Sequence, residues 1–182
     1  MSEKIANNNQ LAVDNCRGSI AQALSLMKMG RRLDAQDLLE ASITQLENLG
    51  IVDDYIQIKS LLADLMDDMG YYEDAAKRRG DCIELAASKF GKTSRVRAEL
   101  LLKQVETLFA LIDKSDENKK VVEYSLKLSK LVQETMELIK LIPEYCERED
   151  IQRDLEQKLI FCQLLADRIQ KTEEALQKLK RV

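Results

Sequence analysis

Histidine and tryptophan are both absent from this chain of 182 residues, and proline occurs only once, at Pro143. Without histidine, the chain lacks the side chain that most often acts as a general base or a metal ligand. Carboxylate–histidine di-metal sites of helical bundles are therefore excluded, as are zinc sites that contain histidine. No catalytic residue, metal ligand or cofactor is predicted, and we expect the chain not to be an enzyme.

The four cysteines, Cys16, Cys82, Cys146 and Cys162, show no pattern of reactive or metal-binding thiols. No two of them form a Cys-x-x-Cys pair, and none has a recognisable activating partner in the sequence. Each lies within a helical pattern of apolar residues, and no secretion signal precedes them. We expect small buried thiols in a reducing cytosol, although two disulfides remain the alternative.

Few residues that disrupt helices are present, and this predicts an all-α fold. Glycine occurs six times and aromatic residues make up 4% of the chain, which disfavours a β-sandwich or barrel. Apolar residues make up 45% and charged residues 33%, enough apolar surface to build a core. No apolar run is long enough to span a membrane. The net charge of −4 carries no nucleic-acid signature, so nucleic acid is not an expected partner.

An internal repeat with an offset of 40 residues gives the architecture. The segment from Met29 to Ala35, Met-Gly-Arg-Arg-Leu-Asp-Ala, returns from Met69 to Ala75 as Met-Gly-Tyr-Tyr-Glu-Asp-Ala. We expect each glycine to form a turn with positive φ after a helix. Each alanine is predicted where two antiparallel helices cross closely. Such a hairpin cannot bury its apolar face alone, so neighbouring hairpins are expected to stack.

The apolar periodicity predicts seven helices, at residues 10–29, 32–48, 53–69, 72–89, 94–112, 117–141 and 145–181. Asp53, Ser94 and the pair Ser115-Asp116 are predicted near helix starts, and Pro143 interrupts the pattern before the last helix. The predicted organisation is a polar lead-in (1–9), three helical hairpins of which the third is degenerate (10–142), and a C-terminal capping or coiled-coil helix (143–182).

The last predicted helix has a heptad-like apolar stripe that two polar residues, Lys158 and Thr172, interrupt. Two interpretations remain open. It caps the open end of the stack, or it forms a coiled-coil arm that recruits a partner or a second copy of the chain. We expect its first half to pack and its charged end to project. The stripe consists of Ile151, Leu155, Cys162, Leu165, Ile169, Leu176 and Leu179.

The repeated unit resembles a tetratricopeptide repeat, most clearly from Gly70 to Ala75. Its 40-residue spacing exceeds the usual 34 and is similar to the longer repeats of kinesin light chains. The resemblance implies stacked antiparallel hairpins in a right-handed superhelix, whose concave groove is lined by the first helix of each hairpin and holds a peptide or a partner helix. Arg79 departs from the pattern, because its position usually holds a large apolar residue, as Leu39 does in the first unit.

The same resemblance predicts which residues bind a partner. Asp64, Asp67 and Asp68 form an acidic centre, which suits a basic or amphipathic protein segment held by apolar anchors beside it. Lysine at both 64 and 67 is expected to abolish partner capture and to leave stability intact. The predicted groove comprises Arg17, Ile20, Leu24, Met27, Gln57, Leu61, Asp64, Asp67, Asp68, Leu101 and Gln104.

Two functions are compatible with this architecture. The first is a cytoplasmic, non-catalytic scaffold or adaptor that binds another protein in its groove. The second is a structural subunit of a larger assembly, for instance cytoskeletal or ciliary, that docks through its helical ends. Self-association through the C-terminal helix belongs with the second function. A stable monomer would favour the adaptor, whereas an obligate oligomer would favour the subunit.

The repeat generates a first prediction. If Ala75 lies at a helix crossing, Ala75→Leu overpacks the crossing and lowers the free energy of unfolding by roughly 1–3 kcal/mol. Thermal unfolding followed by circular dichroism measures the loss. An unchanged midpoint would mean that the two helices do not cross closely at this residue.

Overall fold

A computed structural model describes residues 2–49 and 52–179, and within these ranges the chain is helical without any strand. The fold is all-α, built of stacked antiparallel helices, as predicted. The helices are α1 (Ser2–Lys28), α2 (Arg32–Leu49), α3 (Val52–Asp68), α4 (Tyr72–Phe90), α5 (Arg95–Lys114), α6 (Asn118–Ile139), α7 (Pro143–Cys146) and α8 (Glu149–Leu179).

Two helix boundaries differ from the prediction. Helix α1 begins at Ser2 rather than at residue 10, because residues 2–9 are polar but contain no glycine or proline to stop the helix. Pro143 ends the pattern as predicted, yet it also begins the short helix α7, where its missing N–H is not needed. The last long helix therefore begins only at Glu149.

The predicted helix caps are partly correct. Ser94 caps α5, since its side chain accepts a hydrogen bond from the backbone N–H of Arg97. Asp53 lies inside the first turn of α3 rather than before it. Ser115 ends α5 instead of starting α6, for which Glu117 is the N-cap without a side-chain hydrogen bond.

The chain divides into two compact units, unit 1 (residues 1–89) and unit 2 (residues 90–182). Unit 1 holds the two repeated hairpins, α1–α2 and α3–α4. Gly30 and Gly70 take φ values of 76° and 83° in their turns, as the sequence predicts. Ala35 and Ala75 are completely buried, consistent with a close approach of the helices. The sequence pattern also predicts a glycine at the end of the second helix of the first hairpin; this residue, Gly50, lies outside the described residues.

A pair of thiol contacts shows that the repeat extends further upstream than the turn motif. The Sγ atom of Cys16 lies 3.9 Å from the carbonyl oxygen of Ser42, and that of Cys82 lies 4.0 Å from the carbonyl oxygen of Ile56. Cys16 and Ile56 are 40 residues apart, as are Ser42 and Cys82. Both hairpins therefore have a thiol–carbonyl contact at the same pair of positions. The cysteine is on the first helix of one hairpin and on the second helix of the other.

In unit 2, α5 and α6 form a hairpin and the first part of α8 packs on it. The rings of Phe109 in α5 and Phe161 in α8 are 5.2 Å apart. Leu155, Lys158 and Cys162 are buried along one side of α8. Lys158 therefore belongs to the packed stripe that the sequence suggested it interrupts.

The buried position of Lys158 is stabilised by neighbouring carboxylates. Its ammonium lies 3.1 Å from Glu106 of α5 and 2.5 Å from Asp154 one turn earlier in α8. Up to Leu165, the helix thus covers the α5–α6 hairpin. The side chains of the remaining stripe residues lie outside the described part of the chain. These residues are Ile169, Thr172, Leu176 and Leu179.

The turn geometry predicts opposite effects for one chemical change at two glycines, neither of which has an atom within 4 Å of an added Cβ. Gly70→Ala strains a residue at positive φ and lowers the free energy of unfolding by about 1 kcal/mol. Gly18→Ala, inside α1, raises it by about 0.5–1 kcal/mol. Urea denaturation compares the two variants, and a change of the same sign in both would contradict the turn assignment.

Candidate interaction surface

Helices α1 and α3 lie side by side in unit 1, where the Nε atom of Arg17 is 3.2 Å from Asp54 Oδ1. Nine of the predicted groove residues lie on these two helices, and each is at least partly exposed. We call this surface the α1/α3 face. Its residues are Arg17, Ile20, Leu24, Met27, Gln57, Leu61, Asp64, Asp67 and Asp68.

The apolar part of the α1/α3 face is an outer layer over the core of unit 1. Ile20, Met27 and Leu61 are half-buried and pack against the buried core cluster. Leu24 is the exception, because 41% of it is exposed. A leucine with that exposure, beside three half-buried apolar side chains, is the part of the face best able to contact another molecule.

The acidic part of the face is joined to a buried cation that the sequence interpretation had not connected with it. Arg79 of α4 is 1% exposed, and its Nη2 atom lies 2.8 Å from both Asp64 Oδ1 and Asp67 Oδ2 of α3. We call these three residues the ionic cluster. The carboxylates face the surface with 31% and 24% of their side chains exposed, whereas the exposed Asp68 lies beyond the cluster. Because both carboxylates pair with a buried guanidinium, we now expect lysine at positions 64 and 67 to lower the stability of unit 1 instead of leaving it intact.

The ionic cluster replaces an apolar set at the equivalent positions of the first hairpin. Forty residues earlier, the same three positions hold Leu24, Met27 and Leu39. Leu39 is completely buried, and Met27 packs against the same core. The departure at Arg79 is thus one of three linked changes between the repeats, all of which were visible in the sequence but not recognisable as neighbours.

The two groove residues predicted in unit 2 are not accessible. Leu101 is 1% exposed and Gln104 is 9% exposed. Leu101 belongs to the apolar stripe of α5 with Val105 and Leu108, whereas Gln104 lies on a second buried side of the same helix. Their burial contradicts the sequence prediction, which took its groove positions in α5 from the family pattern.

A polar network that the sequence did not suggest connects α2, α3 and α4. The hydroxyl of Tyr55 donates to Glu47 at 2.7 Å, and Lys59 donates to the hydroxyl of Tyr55 at 3.3 Å and to Asp81 at 2.9 Å. Burial acts to lower the pKa of Lys59, but its hydrogen bonds to Asp81 and Tyr55 outweigh burial and the pKa is raised. Lys59 therefore remains charged and holds the helices together.

Three of the four thiols are buried in the packing of the helices, and the fourth is exposed. Burial raises the pKa of the Cys82 thiol to about 11, and it also raises the pKa of Cys16 and of Cys162. Such thiols remain protonated at neutral pH and are poor nucleophiles. Cys146, expected to be buried, is exposed at the end of α7. All four cysteines are free of disulfides.

The described residues contain no group of three or more side chains that could hold a metal ion together. Within the same residues, no helix has the length and hydrophobicity that crossing a membrane requires.

Comparison with known proteins gives no family for this chain. No protein-family model matches it, and no curated protein sequence matches it. A de novo designed helical repeat protein of known crystal structure is similar over 96% of this chain and 100% of its own, with 14% sequence identity and a TM-score of 0.32.

The ionic cluster predicts the effect of reversing its charges. Asp64→Lys with Asp67→Lys places two ammonium groups beside a buried guanidinium and lowers the free energy of unfolding by about 3–5 kcal/mol. Asp68→Lys, on the exposed neighbour, is the control and changes it by less than about 0.5 kcal/mol. Urea denaturation measures both, and equal stabilities would show that Arg79 does not depend on these carboxylates.

Proposed function

We propose that the chain is a non-catalytic interaction scaffold whose α1/α3 face binds a segment of another protein. The observation that carries the proposal is Leu24, 41% exposed beside the half-buried Ile20, Met27 and Leu61. An apolar centre of this kind, rimmed by charged side chains, is the usual arrangement of a protein-binding surface. The raised pKa values of the buried thiols and the absence of histidine support a role without catalysis.

The charge distribution of the face favours a basic or amphipathic partner segment. Asp68 is exposed, and the ionic cluster contributes two carboxylates for a single guanidinium. These three aspartates give this end of the face its acidic character, and Arg79 offsets part of their charge. An amphipathic helix would place apolar side chains on Leu24 and basic ones near Asp68, so that charge selects the segment and apolar contact holds it.

The hairpin architecture supports a finer assignment. Two antiparallel hairpins related by 40 residues, each with a positive-φ glycine and a buried alanine five residues later, share the arrangement of tetratricopeptide-like repeats. Under this proposal the protein belongs with long-repeat adaptors such as kinesin light chains. The face formed by the first helices, α1 and α3, is then the side that binds partners.

A second candidate function is a structural subunit that docks through α8. This candidate rests on three exposed apolar residues of that helix, Ile160 (55%), Phe161 (41%) and Leu164 (65%). Ile160 and Leu164 lie one turn apart on the side of α8 away from the buried Leu155 and Cys162, whereas Phe161 lies at the border of that side, where its ring also packs against Phe109. A subunit that uses this patch would make permanent contacts through unit 2 and leave the α1/α3 face free.

Three matched leucine-to-lysine variants separate the two functions. We expect Leu24→Lys to abolish retention of the proteins that the wild-type chain captures from cell extract. The control Leu126→Lys, at a leucine of α6 that is 56% exposed, should retain them. With a purified captured protein, Leu24→Lys is expected to raise the Kd by at least about tenfold, measured by calorimetry.

Leu164→Lys tests the second function in the same assay. If that variant loses the captured proteins while Leu24→Lys keeps them, the subunit hypothesis replaces the adaptor hypothesis. Circular dichroism of each variant checks that helicity is retained, so that a loss of binding does not reflect unfolding.

A further inference from the structure

We propose that the ionic cluster determines helix pairing in unit 1: it makes α4 specific for α3 and prevents α4 from pairing with α1 of the same chain or of a second copy. This proposal is independent of the α1/α3 face as a binding surface. It rests on the linked difference between the cluster and the apolar set (Leu24, Met27 and Leu39) at the equivalent positions of the first hairpin.

The two hairpins resemble each other closely enough for wrong pairing to be a real alternative. They share the glycine turn, the buried alanine and the small-residue contact at Cys16–Ser42 and Ile56–Cys82. Repeats with interchangeable interfaces can exchange elements within a chain or between copies, as in domain swapping. The turns at Gly30 and Gly70 join each native pair, but in an exchange that opens a turn only the interface itself can distinguish α4 from α2 as the partner of a first helix.

Pairing of α4 with α1 would deprive Arg79 of both carboxylates of the ionic cluster. The guanidinium is 1% exposed in the native hairpin, and the positions that face it would hold Leu24 and Met27 in place of carboxylates. Arginine does not lose its proton in proteins, so the charge could not be removed by titration. A buried charge without a partner is among the most destabilising features of a helix interface.

If α2 took the place of α4 as the hairpin partner of α3, Leu39 would lie against Asp64 and Asp67. These carboxylates keep 31% and 24% of their side chains exposed and therefore remain in contact with water. Facing an apolar residue costs them less solvation free energy than it costs a buried cation. The two wrong pairings thus differ in cost, and Arg79 provides most of the discrimination. Charge pairs that select one partner and penalise another are known as determinants of register and pairing.

The two wrong interfaces can be rebuilt inside the second hairpin. Asp64→Leu with Asp67→Met gives Arg79 the apolar partners of α1, and Arg79→Leu gives the carboxylates the apolar partner of α2. The combination of all three copies the first hairpin. We expect the carboxylate replacement to raise the unfolding constant about a hundredfold, and Arg79→Leu to raise it less. The triple variant is expected within about tenfold of the wild type, because it removes the guanidinium together with both of its carboxylate partners in the cluster.

Urea denaturation of the full-length chain measures this cycle. If the carboxylate variant does not fold, recovery of helicity on adding Arg79→Leu provides the same information. If the change in the unfolding constant of the triple variant equals the product of the changes in the carboxylate variant and in Arg79→Leu, the replacements act independently. That result would overturn the proposal.

The second readout is the distribution of molecular masses after refolding at high concentration, measured by light scattering. We expect the triple variant to form exchanged oligomers that the wild type does not form under the same conditions, because both hairpins then present apolar interfaces. A mass distribution identical to that of the wild type would show that the cluster does not direct pairing, whatever its contribution to stability. The proposal requires both results.

Discussion

Arg79 places a permanent positive charge inside unit 1, and the surrounding residues are arranged to accommodate it. Its Nη2 atom reaches two carboxylates of α3, both at 2.8 Å. A guanidinium suits this position because it is more weakly hydrated than an ammonium and presents several donors from one planar group. The exchange of a buried leucine for a buried arginine between the repeats is therefore accompanied by two carboxylates that offset the cost of burying the charge.

The same cluster shapes the surface of unit 1. Because Arg79 approaches from inside, its carboxylate partners must lie between the core and solvent, which gives the α3 side of the α1/α3 face an acidic character. The α1 side keeps the apolar residues Leu24 and Met27 at the equivalent positions. The contact between α3 and α4 thus divides the α1/α3 face into an apolar side on α1 and an acidic side on α3. Our proposal of a basic or amphipathic partner segment rests on this division.

Unit 2 uses a related device at a different place. Lys158 of α8 is buried between Asp154 and Glu106, and its ammonium lies 5.5 Å from the centre of the Phe109 ring. Burial acts to lower the pKa of Lys158, but hydrogen bonds to Asp154 and Glu106 outweigh it and the pKa is raised. In both units, a long cationic side chain occupies a position in an apolar stripe and reaches carboxylates nearer to solvent.

The sequence by itself determined the helical class, the repeat and the turns, because these depend on local preferences: few glycines and prolines, apolar periodicity, and positive φ at Gly30 and Gly70. Only the tertiary structure decided what Arg79 and Lys158 do, since periodicity marks them merely as polar residues in apolar stripes. The partners of Arg79 lie 12 and 15 residues away on another helix, so their contact depends on the spacing and rotation of two packed helices. The accessibility of groove residues likewise depends on which side of each helix is covered, and that is a property of packing rather than of sequence pattern.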